Sequence, residues 1–180
     1  MSRNQSPSST RRDLIKSAAL VGAAGVAAPV APVLAQMSAA ANRQLNSNFR
    51  LYDPDNLPPS PGFSQVAEVA RGKLVYIAGQ VPRNAAGDLV GPGDFRAQLE
   101  QVFINLDSAV RSAGATFADV IKLNYYCVAS IEPAQQRAVV EVRDRYVNTQ
   151  LPPVSTFVFV SRLVHPGWLI EIEAVAVLPS

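Results

Sequence analysis

Cysteine, histidine and tryptophan each occur once in this sequence, and each scarcity excludes a class of chemistry. A single cysteine, Cys127, cannot close an internal disulfide. It sits in an apolar, β-rich run, 38 residues from the lone histidine, so we read it as a small buried hydrophobe and not a nucleophile. A lone histidine, His165 in "HPG", has no cysteine or histidine companions with which to build a metal site, and its place at a turn tip suits a solvated side chain. No nucleophile elbow and no glycine-rich phosphate loop is present. Beyond residue 16 no cluster of Lys and Arg occurs, which leaves binding to a nucleic-acid backbone without electrostatic support.

Charge is also missing from Ser17 to Asn42, where Ala, Val and Gly dominate. That run follows "STRRDLIK", a twin arginine with an apolar residue and a lysine behind it. The order of basic head, apolar middle and small-residue exit marks residues 1–35 as a twin-arginine export signal, with cleavage expected after "PVLA" and Gln36 as the first mature residue. The alternative is a retained membrane anchor, since residues 18–35 approach the ~20 needed to span a bilayer. Gly22, Gly25, Pro29 and Pro32, with few large side chains between them, favour the cleaved signal. The expected location is the bacterial periplasm, with no membrane contact after cleavage.

Cleavage changes the charge. The segment before Gln36 carries Arg3, Arg11, Arg12 and Lys16 against Asp13. Of 16 basic and 14 acidic residues, 12 and 13 remain, a net of −1. The basic pI of the whole chain is therefore no pointer to nucleic acid. The remaining 145 residues suit one domain that buries about 70% of its unfolded surface without staples.

Residues 36–61 read as a proline-rich leader, in which "FRLY" (49–52) fits a short edge strand. From there to residue 180 the pattern is that of one folded domain, 62–180. "SQVAEVA" (64–70) and "LVYIAGQV" (74–81) alternate as strands around Arg71-Gly72-Lys73, which predicts a hairpin. Asp94 caps a helix whose apolar stripe is Leu99, Val102, Phe103, Leu106 and Val110, with Gly114 as its stop. "TFAD" has capping-box spacing for a single turn. "VIKLNYYCVA" (120–129) is a third long strand, placing Tyr125 and Tyr126 on opposite faces. Pro133 opens a second helix, expected to run to Asn148. Strands follow at 155–161 and 169–177, read as a hairpin whose packing residues include Phe157, Phe159 and Trp168. In the last strand Glu171 and Glu173 share one face, while Ile170, Ile172, Ala174 and Ala176 share the other. The fold class is α+β, two helices on one face of a mixed sheet. Two helices cannot cover both faces, so self-association is expected to close the second.

Three strings, "PGFSQVAEVARGKLVYIAGQVPRNAAGDLVG", "QLEQVFINLDSAVRSAGATFADVIKLNYY" and "LPPVSTFVFVSRL" with "LIEIEAVAV", together resemble the reactive-intermediate deaminase family, RidA/YjgF, over residues 60–178. The resemblance implies a chorismate-mutase-like fold, a homotrimer, and a small-molecule cleft at each subunit interface. It also implies cofactor-free hydrolysis of 2-imino acids such as 2-aminoacrylate to 2-oxo acids and ammonia. Carried onto this sequence, the water-handling glutamate of the terminal strand is Glu171. The aromatic wall is Phe63, without the hydroxyl of the usual tyrosine. Ala78-Gly79 stands where Ser-Gly is usual, and Thr156 offers its backbone to the ligand. The carboxylate-clasping arginine of a Pro-x-Arg-Ser string is here Val154, because the chain reads "PPVS".

Valine supplies neither the charge nor the bidentate geometry that holds a carboxylate. A carboxylate taken into such a cleft keeps its desolvation cost, and Glu171 adds repulsion. The usual imino-acid substrate is therefore expected to bind badly unless Arg83 or Arg162 reaches in. Two functions remain open: hydrolysis of a neutral imine, enamine or related small molecule, and cofactor-free ligand binding by a non-catalytic trimer. Ribonuclease activity, associated with some relatives, is disfavoured by the charge of the mature chain. Glu171 also has a purely structural reading, as a half-buried group in a subunit interface.

Overall fold

The structure, a computed structural model, describes residues 48–58 and 60–179. The export segment and most of the leader lie outside the described residues. Strands are β1 (Phe49–Tyr52), β2 (Val66–Val69), β3 (Lys73–Gln80), β4 (Val120–Val128), β5 (Val154–Val160) and β6 (Ile170–Leu178). Helices are α1 (Phe95–Ser112) and α2 (Pro133–Arg143), with a 3-10 turn at Phe117–Asp119. The main sheet has the order β3-β6-β4-β5, with β4 and β5 parallel and the other pairs antiparallel. This is the expected α+β layer.

Helix α1 starts where the sequence places it. Asp94 accepts from the Ala97 amide at 3.0 Å, satisfying one of the first-turn donors. Leu99, Val102, Phe103, Leu106 and Val110 are all completely buried against the sheet. Each such side chain stabilises the fold by roughly 1.5–3 kcal/mol relative to exposure. They meet Leu123, Tyr125 and Cys127 of β4 and Ile170, Ile172, Ala174 and Ala176 of β6. Burial pushes the Cys127 thiol up to about 12, in keeping with a packing residue.

Helix α2 ends five residues earlier than expected. After Arg143 the hydrogen bonds tighten, Arg145 N donating to Val142 O and Tyr146 N to Arg143 O. That tightening turns Tyr146 onto Phe103 and Phe117, with ring centroids 5.0 Å apart in both pairs. The aromatic packing stands in place of another helical turn.

Neither expected hairpin forms. Strand β2 pairs with β1 in a separate antiparallel ribbon, and the Ala70 and Arg71 amides both donate to Asn48 O. Strands β5 and β6 are consecutive in sequence but not neighbours, because β4 lies between them. The β4-α2-β5 segment is a crossover, which is what parallel neighbours require. Strand β6 becomes central, paired antiparallel with β3 on one side and β4 on the other. Strand β5 takes the edge, so Phe157 and Phe159 are not fully packed as expected; they are 37% and 47% exposed.

The second face of the sheet is partly closed within the chain itself. Phe49 and Leu51 of β1 pack on Ile121 and Val177, with Ala67, Val154 and Val175 around them. Strand β1 thus lies in the stretch read as a leader and contributes two buried side chains. The rest of that face, toward the start of β6, is uncovered. No helix among the described residues is long and apolar enough to cross a membrane.

Candidate functional site

The uncovered end of the sheet carries the carboxylates. Strand alternation sends Ile170 and Ile172 into the core, and so sends Glu171 and Glu173 to the open face. The register of β4 sets Asn124 beside Glu173 and Tyr126 beside Glu171. Tyr125, as expected, points the other way into the core.

The two carboxylates have different surroundings. Glu173 Oε1 accepts from Asn124 Nδ2 at 2.7 Å and from Tyr126 Oη at 3.0 Å. These donors hold it in one orientation. Among the described residues Glu171 has no such donor, and burial first, then the neighbouring charge of Glu173, raises its pKa from the ordinary carboxylate value. One carboxylate is therefore held by two donors, and the other is left in surroundings that favour its protonated form more than water does. The Tyr126 hydroxyl is itself pushed up, chiefly by its hydrogen bond to Glu173. Asn124 and Tyr126 were not legible as site residues; only the β4–β6 register reveals them.

Gly79 lies directly against Glu171. A β-carbon there would occupy the volume of the Glu171 carboxylate, so glycine is what allows the carboxylate this position. A register irregularity in β3 between Ile77 and Gln80 brings the glycine to this position.

The remaining predicted residues form a second group. Ser64 bridges to Val154, and its hydroxyl donates to Pro152 O at 2.7 Å, which sets the adjacent Phe63 beside the start of β5. Thr156 is exposed on the same strand, in register with Asn124. Val154 is in register with Lys122, and both line a concavity of about 490 Å³ together with Gln65, Tyr76 and Val175. Lys122 is a cation the sequence did not single out.

Within one chain these two groups do not face each other. Val154 and Glu171 flank β4 on opposite sides, at the levels of Lys122 and Tyr126. Four residues along a strand and two strand spacings across amount to about 16 Å. A valine thus does not stand opposite this carboxylate inside the protomer.

Neither arginine suggested as a substitute reaches Val154. Arg83 is turned onto its own loop, with Nε donating to Gly87 O at 2.8 Å. Arg162 is exposed just past the end of β5. A surface concavity of about 680 Å³ runs along α1 past Asn105 and Ser108 and meets the carboxylate end only at Gly79. Among the described residues no group of His, Cys, Asp and Glu could hold a metal ion.

Comparison with known proteins follows this geometry. Residues 54–178 match the family model described as endoribonuclease L-PSP. A solved structure from the conserved Rid protein family, YyfB of Yersinia pestis, is 40% identical, with a TM-score of 0.65, covering 73% of this chain and 99% of that one. Protein DfrA of Myxococcus xanthus is 34% identical over 124 residues, 68% of this chain and 91% of its own length. The 2-iminobutanoate/2-iminopropanoate deaminase of Dermatophagoides farinae is 33% identical over 72 residues, 39% of this chain and 55% of its own length.

Proposed function

The chain belongs to the endoribonuclease L-PSP family of RidA/YjgF proteins, and we propose that within it this chain is an exported homotrimer whose intersubunit clefts act on a neutral imine or enamine. The observation that carries this reading is the split of the site. Glu171 with Gly79, and Val154 with Phe63, sit about 16 Å apart on one open face, too far to share a ligand unless a second copy brings its own half alongside. The exposed apolar side chains of that face support self-association: Tyr76 is 75% exposed, Leu74 42% and Val158 38%.

In the proposed reaction, Glu171 takes a proton from water as its oxygen adds to the carbon of a C=N bond. It returns that proton to nitrogen to give the neutral carbinolamine, then carries the hydroxyl proton to the same nitrogen as the C–N bond breaks, so that ammonia leaves and a carbonyl remains. A raised carboxylate pKa suits both halves of that exchange near neutral pH. Glu173, held by Asn124 and Tyr126, supplies the charge that keeps Glu171 basic. At the other half of the cleft, Val154 gives apolar contact. Lys122 beside it is a compact point charge and lacks the planar fork of a guanidinium, so ordinary 2-imino acids are poorly held. The relationship to an iminobutanoate/iminopropanoate deaminase supports imine chemistry as the class. Export follows from the twin-arginine segment at residues 1–35.

The test is hydrolysis of 2-aminoacrylate, generated in situ, by the chain from Gln36 onward and by its Val154→Arg variant, with light scattering on both. We expect trimers, an inactive parent and an active variant. Activity in the parent would overturn the loss of carboxylate binding. Inactivity in both trimers would replace catalysis with the non-catalytic binder, and a monomeric parent would remove the intersubunit cleft altogether.

A further inference from the structure

Away from the carboxylates, two loops at one end of the sheet are pinned together by a buried polar side chain. Gln98 of α1 has no exposed surface. Its Nε2 donates to Gly91 O at 3.0 Å and to Gly167 O at 2.9 Å, and its Oε1 accepts from the Leu169 amide at 2.8 Å. One side chain thus ties the loop after β3 to the loop before β6. Leu89 of the first loop packs onto Gly167 of the second so closely that a β-carbon there would come within 2.9 Å of Leu89 Cδ2. The loops are therefore held in a fixed relation.

Between them lies a cleft of about 370 Å³, lined by Arg83, Gly87, Leu89, Val164, His165 and Trp168. Of its lining side chains, Arg83, His165 and Trp168 carry N–H groups and none is a carboxylate. Arg83 spends Nε on Gly87 O, and none of the carboxylates among the described residues forms an ion pair with it, so its terminal nitrogens remain for a ligand. His165 Nδ1 accepts from the Gly167 amide at 3.0 Å, which places the proton of the neutral ring on Nε2 as a further donor. The ring rests against Trp168, with centroids 5.5 Å apart. Leu89, Val164 and Trp168 supply apolar wall.

We propose that this cleft is a second small-molecule site, one that takes an aromatic monocarboxylate. A guanidinium fork and an imidazole N–H match the two oxygens of one carboxylate, and the charge offsets its desolvation. The apolar wall matches a ring, and the volume lies at the small end of the roughly 300–1,000 Å³ typical of ligand sites, room for a single ring. A polyanion would find only one cation here. The site shares no residue with the Glu171 and Val154 groups and does not depend on their chemistry.

Trp168 is the sole tryptophan of the chain, so its fluorescence reports on this cleft alone. The experiment titrates phenylacetate, with phenylacetamide as its uncharged counterpart, into the chain from Gln36 onward and into the Arg83→Gln and Val164→Glu variants. Val164 is 84% exposed, so a glutamate there sets a negative charge at the rim without disturbing the fold. The expected result is a saturable change with phenylacetate, none with phenylacetamide, and affinity weakened by about tenfold or more in both variants. Equal responses to acid and amide, or undiminished binding in the variants, would overturn the proposal. If Arg83→Gln does not fold, Val164→Glu decides the matter by the same criterion.

Discussion

Gly79 and Glu171 form a matched pair: the absence of a side chain on one makes room for the carboxylate of the other. Since the two residues come from β3 and from central β6, the pairing exists only once the sheet has formed. Substituting Gly79→Ala is expected to push the carboxylate off its position. The carboxylate is the end of a flexible side chain, so the cost lies at or below the low end of the about 1–3 kcal/mol that overpacking a core carries. Urea unfolding should show the loss, and any hydrolytic activity found in an active variant such as Val154→Arg should fall with it. An unchanged midpoint together with unchanged activity would show that Glu171 has no fixed position to lose.

The ionisation of Glu171 makes a prediction with a definite sign. Burial, then Glu173, raises its folded-state pKa, so the folded protein binds this proton more tightly than the unfolded chain does. Its contribution is neutral below the unfolded value and turns destabilising as pH rises through the folded one. Glu171→Gln should accordingly be more stable than the parent at neutral pH, with the advantage vanishing in acid below the usual carboxylate range. Denaturation midpoints across that window would test it, and an advantage that grows in acid would contradict it. Replacing Glu173→Gln should lower the Glu171 pKa, as followed by carboxyl NMR, because the secondary electrostatic push is removed.

Gln98 offers a purely structural test. Replacing Gln98→Leu strands the carbonyl of Gly167 and the amide of Leu169, while Gly91 O keeps the Asp94 amide. Each unpaired part-buried group costs about 1 kcal/mol or more, so a loss of about 2 kcal/mol or more is expected in denaturant unfolding. A loss under about 1 kcal/mol would mean that water replaces the side chain readily, and that the two loops are not pinned.

Much of the local structure was legible. The Asp94 cap, the α1 stripe and the Pro133 start of α2 are local signals, and each acts within a few residues of its own position. Gly114, at φ +82°, ends the first helix region as its residue type suggests. The alternation in β6 correctly separated Glu171 and Glu173 from their apolar neighbours. What misled was proximity in sequence. Strands β2 and β3, and β5 and β6, look like hairpins because a short turn separates them, yet each found a partner elsewhere.

The candidate site divides along the same line. Glu171, Gly79, Phe63, Val154 and Thr156 were identified by their motifs, but motif order carries no distance, and the structure divides them into two groups. Asn124, Tyr126 and Lys122 carried no motif; they matter because of the strand beside them.

By itself, then, the sequence determined which segments are helix or strand and which face of β6 bears the carboxylates. These follow from side-chain periodicity, caps and residue type, all short-range properties. Only the tertiary structure decided that β6 inserts between β3 and β4, that Glu173 is held while Glu171 has no such donor among the described residues, and that Val154 lies some 16 Å from Glu171. Strand pairing and burial are set by contacts between residues distant in the chain, whose joint stability no local pattern encodes.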